Sequence, residues 1–306
     1  MAKKLKNRQY VLSIDIDYIL EPFINYVELA WSNRPSYVTI HKDIIDKPTS
    51  LFDRMHDLGP LIKDASSISQ INFKECVEIF SEALFALTKK DMDKVYFADN
   101  HDTILTHLQN HYSKIGQYEK NETKYTIINF DHHHDIYYSK EQARDVDLYN
   151  IVSPGDWVWY LDKNNLCDEY HWIGNKNSSN WRDVCGSGPP ELMQNGGRYT
   201  SLQEFRDAYT LPKKFDLIYV CKSPHWTPDI YFDYFDILKD MAEKYFKTSF
   251  EQDIGYYCGS RTSRNFFEGP AKDSIILDEH LVEDNGDPIK EALLNGNINP
   301  EQENDN

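Results

Sequence analysis

Hydrophobic and polar positions alternate along this chain in short apolar runs separated by amphipathic stretches. Gln9–Ile14 is a β-branched and aromatic run that predicts a first strand, ending in Asp15-Ile16-Asp17-Tyr18. From Asn72, the residues Cys76, Val77, Phe80, Ala83, Leu84 and Leu87 recur at three- to four-residue spacing, which predicts a helix. Lys94–Ala98 predicts a short strand running into Asp99-Asn100-His101-Asp102, and a helix after it buries Ile104, Leu105 and Leu108. Lys124–Ile128 reads as a buried strand that leads into Asn129-Phe130-Asp131-His132-His133-His134-Asp135. Phe215–Val220 is a further strand, and the helix behind it carries Tyr231, Tyr234, Phe235, Leu238, Met241, Ala242 and Tyr245 on one face. Strands alternating with helices predict an α/β fold with a mainly parallel sheet.

Between residues 153 and 200 the pattern is lost. This segment is rich in Trp, Gly, Asn and Pro, and it reads as an aromatic lid or substrate region that includes Trp157. Residues 1–276 are expected to form a single domain, and 277–306 an acidic, Asn-rich tail that is partly disordered.

Charge narrows the partners. The chain has 306 residues, with 33 Lys+Arg against 50 Asp+Glu and a formal net charge of -17. That balance argues against a nucleic-acid backbone or an anionic membrane as partner and mildly favours cationic substrates. Five cysteines without a CxxC pair read as reduced thiols, and no 18-residue apolar run or signal-type segment occurs. The expectation is a cytoplasmic protein.

Three predicted strands end in chemistry: Asp15 and Asp17, His101, and Asp131, His133 and Asp135. Parallel strands would bring all of them to one rim of the sheet. If the segment after Ile128 stays extended, Asp131, His133 and Asp135 share a face while His132 and His134 point the other way. Four or more carboxylates at one site would repel unless cations compensate, and two divalent ions would do so. An Asp-x-His-x-Asp face offers hard oxygen and borderline nitrogen donors, a set suited to Mn, Fe or Zn.

Ser13-Ile14-Asp15-Ile16-Asp17 resembles the Ser-x-Asp-x-Asp motif of the arginase (ureohydrolase) superfamily, and Asp131–Asp135 resembles its Asp-x-His-x-Asp motif. Asp99–Asp102 is similar to the segment that supplies that superfamily's first histidine ligand. Cys221-Lys222-Ser223-Pro224-x-Trp226 is similar to a stretch of an arginase-like family that includes bacterial peptide arginases, which convert arginine residues of a precursor peptide to ornithine. The resemblance implies a three-layer arginase/deacetylase-like domain, circularly permuted because the Ser-x-Asp-x-Asp element comes first here. Leu20-Glu21-Pro22 stands where that motif would end in Asp-Pro. It further implies two Mn2+ ions, one on His101, Asp131, Asp135 and Asp15, the other on His133, Asp131, Asp15 and Asp17. Asp135 would be the catalytic proton relay, and an arginine-containing peptide the substrate. The aromatic and turn-forming segments with Trp157, His225 and Trp226 suit gripping an extended peptide, since Trp stacks on guanidinium groups.

Two other classes fit parts of the pattern. Asp15 and Asp17 also fit a haloacid-dehalogenase-type phosphatase, and Asp131-His132-His133 a DHH-type phosphoesterase. The third reading is a metal-stabilised binding module that uses the aromatic 153–200 segment as its surface.

Overall fold

A computed structural model describes residues 7–21, 67–114, 123–137, 140–176, 178, 195–223, 227, 231–253, 262–263 and 275–276. Its centre is a six-stranded sheet. In chain order the strands are β1 (Asn7–Asp15), β2 (Val95–Ala98), β3 (Thr123–Phe130), β4 (Cys167–Ile173), β5 (Gly197–Tyr199) and β6 (Leu217–Cys221). Their spatial order is β2-β6-β1-β3-β4-β5, and every pairing is parallel. A parallel sheet needs crossover segments on its faces, so central strands are buried on both sides and read as continuous apolar runs. That is why β1, β3 and β6 stand out in the sequence.

Among the described residues six helices supply the outer layers: α1 (Gln70–Phe85), α2 (Ile104–Lys114), α3 (Lys140–Tyr149), α4 (Trp157–Lys163), α5 (Leu202–Ala208) and α6 (Phe232–Phe246). Strand periodicity sorts the core into two halves. Leu12, Ile14, Ile128, Phe130, Ile218 and Val220 pack on one face against Phe80 of α1, Phe205 of α5 and Phe235 of α6. Val11, Tyr125, Ile127, Leu217, Tyr219 and Cys221 pack on the other against Leu105 of α2, Val146 of α3 and Trp157 of α4. The protein is thus a three-layer α/β structure, as the alternating pattern predicts. Among the described residues no helix is long and apolar enough to cross a membrane.

The 153–200 segment differs from its reading as an irregular lid. Where described, it holds helix α4 and strands β4 and β5. Strand β4 opens with Cys167-Asp168-Glu169, and the two acids pair with Arg8 at the start of β1. Those charges break the apolar run that would have announced a strand. Residues 177 and 179–194 of that segment and the 277–306 tail lie outside the described residues.

Candidate metal centre

The carboxyl ends of β1, β2, β3 and β6 meet on the face covered by α2 and α4. Asp15 closes β1, and its carboxylate caps the 3-10 turn Ile16–Ile19 by accepting from the Asp17 amide at 3.1 Å. That turn swings Asp17 back beside Asp15 instead of leaving it on an extended strand. His101 opens a second 3-10 turn, His101–Thr103, after β2. Its ring lies between Tyr219, parallel at a centroid distance of 5.8 Å, and Trp157 at 5.1 Å. Ser13 Oγ lies 2.6 Å from His101 Nε2, which directs Nδ1 toward the carboxylates.

Strand β3 stops at Phe130, and 131–137 is a bent loop, contrary to the extended alternation expected there. Asp135 takes a left-handed backbone, φ 49°. Asp131, His133 and Asp135 converge all the same, held by individual bonds. The Asp131 amide donates to Ile173 O at 3.2 Å, and Asp131 O accepts from the Trp172 indole at 2.9 Å. Asn129 Nδ2 donates to Asp131 Oδ2 at 3.2 Å, and the His133 amide to Asp131 Oδ1 at 2.7 Å. Asp135 is gripped twice by the start of α4. Its carbonyl accepts from the Val158 amide at 3.0 Å, and its Oδ2 from the Trp157 indole at 2.7 Å.

The side chains form two groups that share one carboxylate. His101 Nδ1 lies 3.2 Å from Asp15 Oδ2, 3.2 Å from Asp131 Oδ2 and 2.9 Å from Asp135 Oδ2. His133 Nδ1 lies 2.8 Å from Asp17 Oδ2 and 3.8 Å from Asp131 Oδ1. Asp131 therefore turns one oxygen toward each histidine. His132 and His134 are occupied elsewhere. The His132 amide donates to Asp17 Oδ1 at 3.0 Å while its ring meets Ser178, and His134 Nδ1 accepts from the Ile136 amide at 3.1 Å.

Electrostatics show a site short of positive charge. Burial, reinforced by Asp17, pushes the Asp15 carboxyl up to about 6, and burial with Asp135, Asp17 and Asp15 raises Asp131 well above the usual carboxylate range. Burial would also raise Asp17, but His133 and His132 outweigh it and hold the group down at about 2. Burial opposes a charged His101, yet Asp135, Asp131 and Asp15 keep its pKa well above the ordinary imidazole value. His132 and His134, by contrast, are pushed down to about 4 mainly by burial.

These residues fit divalent cations. Asp15, Asp17, Asp131 and Asp135 are all buried, with only two facing imidazoles to offset them. Asp17 Oδ2, although close to His133 Nδ1, receives no aligned hydrogen bond. His133 faces that oxygen, yet four buried carboxylates against two imidazoles leave negative charge that a divalent cation would offset. Three donor sets have ligand atoms within 4.8 Å of one another: His101 with Asp131 and Asp135, His133 with Asp17 and Asp131, and Asp15 with His101 and Cys221. Buried His/Asp clusters able to hold metal ions are thus present.

Of the other expected site residues, Trp157 does not line a substrate surface. It is fully buried, and its one polar atom serves Asp135. His225 and Trp226 lie outside the described residues. Sequence reasoning missed the supporting residues Ser13, Asn129 and Cys221. Ser13 and Asn129 each stand two residues before a carboxylate on the same strand face, so the period-2 rule already pointed to them. Comparison with protein-family models, with curated proteins and with solved structures returns no match for this chain.

Proposed function

We propose that this protein is a binuclear-metal hydrolase that cleaves the guanidinium group of arginine residues in a peptide, giving ornithine and urea. The observation that carries the metal reading is the divided carboxylate of Asp131, one oxygen toward His101 and the other toward His133, with Asp15 and Asp135 on one side and Asp17 on the other. His101, Asp131, Asp135 and Asp15 would hold one ion, and His133, Asp131, Asp15 and Asp17 the other. Oxygen donors outnumber nitrogen, which favours Mn2+ while the imidazoles admit other divalent ions. When bound, such a pair supplies Lewis-acid activation of a water molecule.

The chain's own residues supply the rest. Ser13 fixes the His101 ring, Asn129 and Trp172 hold Asp131, and Trp157 fixes Asp135. Asp135 would take the proton of the attacking water and return it to the leaving nitrogen. The choice of a guanidinium substrate is supported by the two aspartate motifs and their resemblance to arginases, together with the net charge of -17. Phosphohydrolase readings built on Asp15 and Asp17, or on Asp131-His132-His133, leave the packing of His101 and Asp135 against the same carboxylates without a purpose.

The test is direct. Mn2+-loaded protein is assayed for urea from an arginine-containing peptide, free arginine and agmatine, and for phosphate from a generic phosphoester. We expect urea, with kcat/KM highest for the peptide. Free arginine equal to the peptide would remove the peptide substrate, and phosphate release without urea would remove the guanidinium chemistry.

A further inference from the structure

Cys221 has no part in the site as proposed above, yet its sulfur lies inside it. It is the last residue of β6 and the register partner of Asp15 on the neighbouring strand. Tyr219, two residues earlier, packs on the same face and stacks on His101, so Cys221 projects toward the carboxylates. The thiol is fully buried, and its Sγ, an Asp15 oxygen and a His101 ring nitrogen lie within 4.8 Å of one another. Cys76 and Cys167, the other two free cysteines described, fall in no such group among the described residues.

We propose that Cys221 is a ligand of the cation held at His101. That subsite is then a mixed sulfur, nitrogen and oxygen site for a thiophilic divalent ion such as Zn2+, beside a hard ion at His133. This rests on the two-ion reading of the preceding section. The donors differ as the proposal needs. Two donor groups overlap at His101, one with Asp131 and Asp135 and one with Asp15 and the thiol; the second joins sulfur, nitrogen and oxygen, which suits Zn2+, Co2+ or Fe2+. Around His133, among the described residues, the grouped donors are the oxygens of Asp17 and Asp131, without a thiol.

The thiol is also cheap to recruit. Without metal, Sγ donates to Asp99 O at 3.3 Å, and that carbonyl also accepts from the Ser223 amide at 3.0 Å. When sulfur turns to the ion, its proton leaves to solvent and Asp99 O keeps a partner. No buried acceptor is orphaned by the exchange.

X-ray absorption at the Zn edge of the wild-type, metal-loaded chain tests this without any variant. One sulfur at about 2.3 Å is expected, the usual Zn–thiolate distance. Dialysis against equal Zn2+ and Mn2+ is expected to give one of each per wild-type chain. With Cys221→Ser, Zn2+ affinity should fall at least about tenfold, the lower end of what even an outer-shell change costs, while Mn2+ stoichiometry is retained. In Co2+-loaded protein a sulfur-to-metal charge-transfer band should be present, and lost in Cys221→Ser. Two bound ions with no sulfur in the Zn shell overturn the role of Cys221 and leave the two-ion site standing. Failure of the wild-type chain to bind either ion overturns both.

Discussion

The grip of Trp157 on Asp135 allows the sharpest test of the metal centre, because one hydrogen bond can be removed without touching a ligand. Trp157→Phe deletes the indole N–H that donates to Asp135 Oδ2 at 2.7 Å and leaves an aromatic ring in the same pocket. Donor and acceptor are both buried, Trp157 fully and Asp135 at 4% exposure, so water cannot take the place of the lost bond. A hydrogen bond to a charged group contributes roughly 1.5–3 kcal/mol. At about 1.4 kcal/mol per tenfold change in affinity, that equals a tenfold to hundredfold loss of metal binding at the His101 subsite. The independent range for outer-shell changes at metal sites, about 10–100-fold, agrees. The assay is calorimetric titration of Mn2+ and Zn2+ into chelator-treated protein, with thermal unfolding of the metal-free form alongside. Trp159→Phe is the control, since it loses a comparable bond, Trp159 Nε1 to Asp147 Oδ1 at 2.9 Å, on the outside of the same helix. We expect Trp157→Phe to weaken one ion of the pair and Trp159→Phe to weaken neither. Wild-type affinity for both ions in Trp157→Phe would refute the positioning role. Equal weakening of the two ions would mean that the fold has loosened and the bond is not specific to Asp135.

Other perturbations separate the remaining roles. Asp131→Ala should cost both ions and Asp17→Ala only the one at His133, read by metal analysis after gel filtration; a single ion retained in Asp131→Ala would contradict the shared carboxylate. His133→Ala should abolish activity and release one ion, whereas His134→Ala, whose ring accepts from the Ile136 amide, should keep both ions and lose stability instead. Asp156 gives a pH signature. Burial pushes its carboxyl up to about 8 despite bonds from the Ser153 amide and hydroxyl. Its folded pKa lies above its unfolded value, so ionisation costs the native state, and this group's contribution to stability declines as pH rises from 3.8 toward about 8. Asp156→Asn removes that decline. In chelator, the stability of Asp156→Asn relative to wild type should therefore be greater at about pH 9 than at about pH 5, and a pH-independent difference would contradict the buried-acid reading.

Much of this architecture was readable from the pattern of residues, and the reason is burial. β1, β3 and β6 lie inside the sheet with helices on both faces, so each appears as an unbroken apolar run. β4 escaped notice because Asp168 and Glu169, just inside its start, answer Arg8 across the sheet, and Asp168 lies 160 positions from Arg8. No local period can announce it. The same division runs through the candidate site. Asp15, Asp17, Asp131, His133 and Asp135 sit in two short motifs, and spacing alone marks them as potential donors.

Spacing does not reveal which strand lies beside which. The insertion of β6 between β2 and β1 places Cys221 next to Asp15, and the docking of α4 brings the Trp157 indole onto Asp135. A thiol far along the chain thereby joins a set that reads from sequence as oxygen and nitrogen only. The inference from donor chemistry to metal identity consequently changes once the strand order is known. The oxygen-rich sequence motifs argue for a hard ion, and they still do so at His133. At His101 the neighbouring strand adds sulfur, and the proposed pair of ions would then occupy two subsites of different softness.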